Sequence, residues 1–377
     1  MTMRFPFPWP PGADRPAELG TLRDEPAVRV TMPSGDPAWL VTRYADVRAV
    51  LSDPRLSRNR DRPGAPRISV EQTKAFQNPG IDRDPPGHTR MRRLMVKAFT
   101  PARVERLRPY VTEVAEELLA GLAARTPPVD LVAEFAVPLT LRVICRLLGV
   151  PVRDQHRFRG DLADAARYIG ELIETKRADP GDDLVSALIG VHDEQDGRLG
   201  AHELHRWCMV LLLAGYETTA SQLGSSVVLL LRHPEQLALL RSRPELVPDA
   251  VEELLRCQVA GHSLSMLRYV TEDIDVGGVT VPAGSGLIPV LESANMDHRV
   301  FPDPERLDIT RDSGGQLMFS AGPHFCLGAS LARLELRVAL TALIRRFPTL
   351  RLAVEVDRLR HHENPLELGF TEVPVAW

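Results

Sequence analysis

The residues best able to do chemistry lie in MFSAGPHFCLGASLARLELRVAL, Met318 to Leu340. A short glycine-containing loop ends in Cys326, and Leu327, Leu331, Leu334 and Val338 then follow at helical spacing. A helix N-terminus offers unpaired N–H groups and a partial positive charge, both of which favour a thiolate over a thiol. Gly322 and Gly328 let the backbone turn sharply and come close to whatever the sulfur holds. Phe319 puts an aromatic face beside it, and His324 a donor two residues earlier.

A second stretch, AGYETT (Ala214 to Thr219), lies inside the longest helical candidate, Ala201 to Arg232. A run this apolar on all sides must be buried. Glu217, Thr218, Ser221 and Gln222 interrupt it too often for a membrane span. Gly215 and the threonine pair weaken the helix ladder and permit a kink. An acid in such a helix is costly unless it has a partner or a task. The bland reading of Glu217 is a buried acid satisfied by an arginine.

Cys326 alone allows three readings. It is a buried structural cysteine. It is a nucleophile of the cysteine-phosphatase kind, which wants an arginine six residues later, whereas Arg333 is seven later. Or it is an axial thiolate to haem iron. Here the segment resembles the haem-binding loop of the cytochrome P450 family, Phe-Gly-x-Gly-x-His-x-Cys-x-Gly. Phe319, Gly322, His324, Cys326 and Gly328 match it, and Ser320 stands where the family commonly has glycine. Four further segments in the right order extend the resemblance over nearly the whole chain.

The resemblance implies the following roles. Cys326 ligates the iron of haem b (iron protoporphyrin IX). His88 and Arg92, in HTRMR, match the family's His-x-x-x-Arg and hold haem propionates, as do Arg268 and His324. Carboxylates in a partly buried site need paired donors, which arginine gives as a fork. AGYETT matches [Ala/Gly]-Gly-x-[Asp/Glu]-Thr: Ala214 is a cofactor-binding position, Gly215 leaves space above the iron, and Thr218 and Glu217 activate oxygen and relay protons. Glu253 and Arg256 match a structural Glu-x-x-Arg, with Arg306 as the third member; otherwise the pair reads as a surface ion pair of little worth. Asn295 and Asp297 fall in an Ala-Asn-x-Asp motif. Arg90, Arg93 and Lys97 read as a solvated basic face or a docking patch for an acidic electron donor.

The elements that must place these groups follow from pattern. Val28 to Met32 and Trp39 to Thr42 read as a hairpin, and Tyr44 to Ser52 as a helix. Pro101 to Arg125, Val129 to Leu148 and Arg153 to Lys176 read as helices, and Arg58 to Gly80 as a loop. Gly286 to Leu291, Leu350 to Val354 and Leu366 to Val375 read as strands. A loop near Asn364 to Leu366 reaches toward the pocket, and Gly261 to Leu267 precedes Arg268. The stretch from Pro151 to Pro180 is shorter than the family's usual layout by roughly twenty residues, which predicts an abbreviated lid (F–G) region and a more open pocket.

Composition bounds the rest. The 377 residues are 44% hydrophobic, 25% charged and carry a net charge of −4, so bulk charge gives no argument for nucleic acid. The four cysteines have neither zinc nor disulfide spacing, which suits a reducing compartment. The start, MTMRFPFPWPPG, has no apolar run of signal or membrane length, so a cytoplasmic protein without a membrane anchor is expected. Its prolines suggest an extended arm over about residues 1–20.

The expectation is a single domain over 1–377, mainly α with a minor β-sheet region, of the P450 fold. The implied activity is haem-dependent monooxygenation of a small organic substrate, a secondary-metabolite intermediate: hydroxylation, or desaturation, epoxidation or coupling. Electrons come from NAD(P)H through an external ferredoxin and ferredoxin reductase, since neither is fused on. A peroxide-dependent haem-thiolate enzyme and a non-catalytic haem sensor are the alternatives; the Glu217–Thr218 pair counts against both.

Overall fold

The hairpin read at the N-terminus is the seed of the main sheet. The structure, a computed structural model, describes residues 3–69, 82–96, 99–159, 162–193, 200–258, 263–363 and 369–377. In chain order the first elements are β1 (Met3–Arg4), α1 (Glu18–Thr21), β2 (Val28–Thr31), β3 (Pro37–Val41), α2 (Tyr44–Ser52) and β4 (Leu56–Ser57). Then come α3 (Gly87–Val96), α4 (Pro101–Glu105), α5 (Arg108–Ala123), β5 (Val129–Asp130) and α6 (Val137–Leu148). Next are α7 (Leu162–Ala178), α8 (Leu184–Asp193), α9 (Ala201–Arg232), α10 (Pro234–Ser242) and α11 (Val247–Arg256). The last are β6 (Arg268–Val270), β7 (Ile274–Val276), β8 (Val279–Val281), β9 (Gly286–Pro289), α12 (Leu291–Ala294), α13 (Ala329–Arg346), β10 (Arg351–Leu352) and β11 (Pro374–Ala376).

The main sheet runs β1-β2-β3-β9-β6-β4. β9 is buried along its whole length and pairs parallel with β3, Trp39 opposite Leu287, as an unbroken apolar strand does when both faces are covered. β7 and β8 form a separate hairpin, turned by Gly277 and Gly278, both at positive φ, where glycine carries no steric penalty. The N-terminal arm is not free. β1 pairs with β2, and Phe5 and Phe7 are buried.

α9 is the longest helix, 32 residues or roughly 48 Å. Thr219 through Leu230 are all buried, because α6, α7, α11 and α13 pack around it. Three predicted helices are broken, the last of them, Arg153 to Lys176, into a 3₁₀ stretch and α7. Pro109 opens a new helix, so Pro101 to Arg125 divides into α4 and α5. Val129 and Asp130 leave the next helix to pair with β11, and the Asp130 carboxylate then accepts from the Val132 amide at 3.0 Å as helical structure begins. Between α6 and α9 lie a 3₁₀ stretch, Val152–Arg159, and then α7 and α8. No single helix among the described residues is long and apolar enough to cross a membrane. Lys97, Gly261 and Asn364 to Leu366 lie outside the described residues.

Candidate active site

The cysteine loop is held from behind. The Leu317 amide donates to Asn295 Oδ1 at 2.7 Å, and the Cys326 amide to the Phe319 carbonyl at 2.8 Å. Ser320 has φ +64°, so the turn survives at the position where glycine is the family's choice, at the steric cost a serine meets there. Gly322, at φ +68°, lies so close to α2 that a Cβ would stand 2.8 Å from the Leu51 carbonyl oxygen. α13 starts at Ala329, three residues later than the cysteine, with Gly328 before it.

Cys326 is exposed, but to an interior cavity rather than to bulk water. Removal from water pushes its thiol up, against the Gly328 and Ala329 amides and the charges of Arg92 and Arg333, which pull it down. Arg333 stacks over Phe319 at 4.4 Å and forks onto Glu252 of α11, at 2.5 and 2.8 Å. The next residue, Glu253, anchors the chain ahead of the loop. It pairs with Arg256 and accepts from the Asp308 amide and Ser313 Oγ. The third member of this network is not Arg306, whose side chain is 65% exposed and pairs with Asp308. It is Arg311, which reaches Glu253 at 3.2 Å with 12% exposure. Both arginines lie on one irregular segment, and only the fold decides which turns inward.

Across the cavity, of about 350 Å³, α9 presents Ala214, Gly215 and Thr218. Thr218 Oγ1 donates to the Ala214 carbonyl at 2.9 Å and stays exposed to the cavity. A Cβ on Gly215 would fall 2.7 Å from Ile144, so this glycine also lets α6 and α9 approach. Glu217 is exposed, so the expected burial cost does not arise.

One edge of the site is cationic. His88, Arg92 and His324 line the cavity, and the two imidazole rings lie 4.0 Å apart. Burial, then Arg58 and His88, push His324 down to about 2, and burial lowers His88 and Arg92. Arg268 is 2% exposed and meets the Met266 carbonyl; its Nη2, like His324 Nδ1, is buried without a partner among the described residues. A buried cation and a buried imidazole left unsatisfied together are a fit for carboxylate groups of a bound molecule. A thiol on one wall, a bare hydroxyl-bearing helix opposite and orphaned donors at one edge suit a haem.

Sequence reasoning missed several residues. Glu335 of α13 lines the cavity, 2% exposed, with Oε2 unpartnered among the described residues. Glu292 and Ser263 line it too, and the Ser263 amide and hydroxyl both donate to the Glu292 carboxylate. The only available signal was an acid among apolar neighbours.

Comparison with known proteins decides the family. The sequence model described as Cytochrome P450 matches residues 129–374. The chain belongs to the cytochrome P450 family. Among curated P450 relatives, nocardicin C N-oxygenase of Nocardia uniformis subsp. tsuyamanensis is 45% identical, over 397 positions covering 100% of this chain and 99% of that protein. Mycinamicin IV hydroxylase/epoxidase of Micromonospora griseorubida is 43% identical over 396 positions, covering 99% and 98%. Of the solved P450 structures, that of SgvP, a putative thioether synthase involved in the tailoring step of griseoviridin, superposes with a TM-score of 0.93 at 43% identity and covers all of both chains.

Proposed function

We propose that this P450 is a haem-thiolate monooxygenase oxidising a secondary-metabolite intermediate by hydroxylation, epoxidation or N-oxygenation. The observation that carries this is the Cys326 thiol facing Thr218 across one cavity, beside unsatisfied buried donors. The substrate class is supported by relatives named for N-oxygenation of nocardicin C and hydroxylation or epoxidation of mycinamicin IV.

Cys326 would ligate the iron, and His88, Arg92, Arg268 and His324 would hold the propionates. Bound haem supplies oxygen binding and its two-electron activation. The chain's own part is positioning and proton supply. The Gly328 and Ala329 amides and Arg333 steady the thiolate. Thr218, its hydroxyl proton donated to the Ala214 carbonyl, turns its oxygen lone pairs toward the cavity as an acceptor through which a proton can be passed on. Glu217, exposed one residue earlier, exchanges protons with solvent and hands them toward Thr218. An external ferredoxin and its reductase would supply electrons. Arg93 is exposed for such docking, whereas Arg90 is tied to Glu203 at 2.7 Å.

We also infer a shortened lid. The alignment with nocardicin C N-oxygenase needs 397 positions for a chain of 377 residues, so the relative has residues without counterpart here. A 3₁₀ stretch, Val152–Arg159, lies ahead of α7, in the region the sequence reads as short. A reduced lid leaves room for a bulky substrate.

Reconstitution tests the activity. Product must form with NADPH, ferredoxin and reductase, and depend on O2. Product from hydrogen peroxide alone would favour the peroxide-dependent reading, and haem binding without turnover of any compound that shifts the haem spin state would favour a sensor.

A further inference from the structure

Two arginines just after β4, the buried Arg58 and the largely buried Arg60, accompany Arg268, which is buried at the start of β6. Arg58 is 8% exposed. Among the described residues one buried carboxylate, Asp82, answers the first two. Arg58 donates to Asp82 Oδ1 through Nε and Nη2 at 3.1 and 2.9 Å, and Arg60 Nε lies 3.4 Å from Oδ2. Asp84, partly exposed, is engaged by Ser57 Oγ and the Arg58 amide. Arg268 meets carbonyls rather than a carboxylate. Positive charge therefore exceeds negative charge in the buried part of this cluster, a costly arrangement unless an anion completes it.

Arg58 and Arg60 do more than hold Asp82. Arg60 Nη2 donates to the Ser265 carbonyl at 2.8 Å, and Ser265 is on the cavity wall. Asp82 precedes α3, the helix that carries His88 and Arg92. The charges also reach the edge of the site: burial, then Arg58, push Arg268 well below its ordinary value, and Arg58 also contributes to lowering His88.

We propose that Arg58, Arg60 and Asp82 form an outer layer of the haem carboxylate site that sets the reduction equilibrium of the haem through space and fixes the wall at Ser265. This rests on the haem-thiolate reading above. A buried positive charge near the haem favours the ferrous state, which carries one positive charge fewer; a buried negative charge disfavours it. Arg58 and Arg60 are positioning residues here, not catalytic ones.

The sign is the test. In the full-length haem-loaded protein, the ferrous-to-ferric ratio is measured spectroscopically at one fixed applied potential. Arg58→Gln should lower the ratio by several-fold, on the order of three- to tenfold. Asp82→Asn should raise it, and Arg58→Lys should restore it. Haem transfer to apomyoglobin should be faster from Arg58→Gln than from the wild type. A merely structural role would move Arg58→Gln and Asp82→Asn the same way, and that result, or a haem-loaded Arg58→Gln with an unmoved ratio, would overturn the proposal. If Arg58→Gln does not fold, Arg60→Gln must show the same lowered ratio. A wild-type protein that never shows a thiolate-ligated haem would instead defeat the parent reading, and this one with it.

Discussion

Glu253 and Arg256 meet with both side chains wholly buried, Nε to Oε2 at 2.7 Å. They sit one turn apart on α11, and Glu253 accepts further from Ser313, the Asp308 amide and Arg311. Burial pushes the Glu253 carboxyl up, but these partners bring it below its ordinary value. Such a pair is strong when whole and costly when half removed. Arg256→Leu should therefore destabilise the protein by about 3–5 kcal/mol, measured by denaturant unfolding. With a depressed folded value, the stabilisation from Glu253 is present above the ordinary carboxylate range and is lost as pH falls through its folded value. Acid unfolding should thus flatten in Glu253→Gln relative to wild type.

Thr218→Ala should leave haem binding and electron consumption nearly intact while product per NADPH falls, by roughly tenfold or more, since positioned proton donors contribute on the order of a hundredfold. Unchanged coupling would remove Thr218 from oxygen activation.

The loop makes two opposite predictions. Ser320→Gly should stabilise by about 1 kcal/mol, because it relieves a positive φ and removes a buried hydroxyl that has no partner among the described residues. Gly322→Ala should destabilise by roughly 1–3 kcal/mol and lower haem content, because positive φ and the Leu51 carbonyl both oppose a Cβ. Thermal melting and pyridine-haemochrome content check both.

Glu335 is pushed well above its ordinary value by burial alone, which favours its protonated form. Keeping a proton there costs nothing below the ordinary glutamate range; the penalty grows as pH rises from that range toward the raised folded value. Glu335→Gln should accordingly be more stable than wild type near pH 7 and equal to it in acid, measured by denaturant unfolding at both pH values. A stability gain that persists unchanged into acid would contradict a protonated Glu335.

Local pattern carried much of this site into the sequence. α2 and α9 have the predicted ends because their apolar period and stops are local, and the cysteine loop was legible from Phe319 to Gly328. What pattern cannot show is which of two nearby arginines turns inward, so Arg311 displaces Arg306. Nor can it show that Glu217 is exposed, since an apolar run does not say which side lies open. Arg58 and Asp82 are far apart on irregular chain, and their pairing exists only once the fold brings those segments together.

The central claim is a bond from Cys326 sulfur to haem iron. Its most direct test is the absorption spectrum of the reduced, carbon-monoxide-treated protein. Wild type should show the red-shifted Soret band of thiolate ligation, and Cys326→Ser should lose it. Absence of that band from haem-loaded wild type, or its survival in Cys326→Ser, would contradict the account.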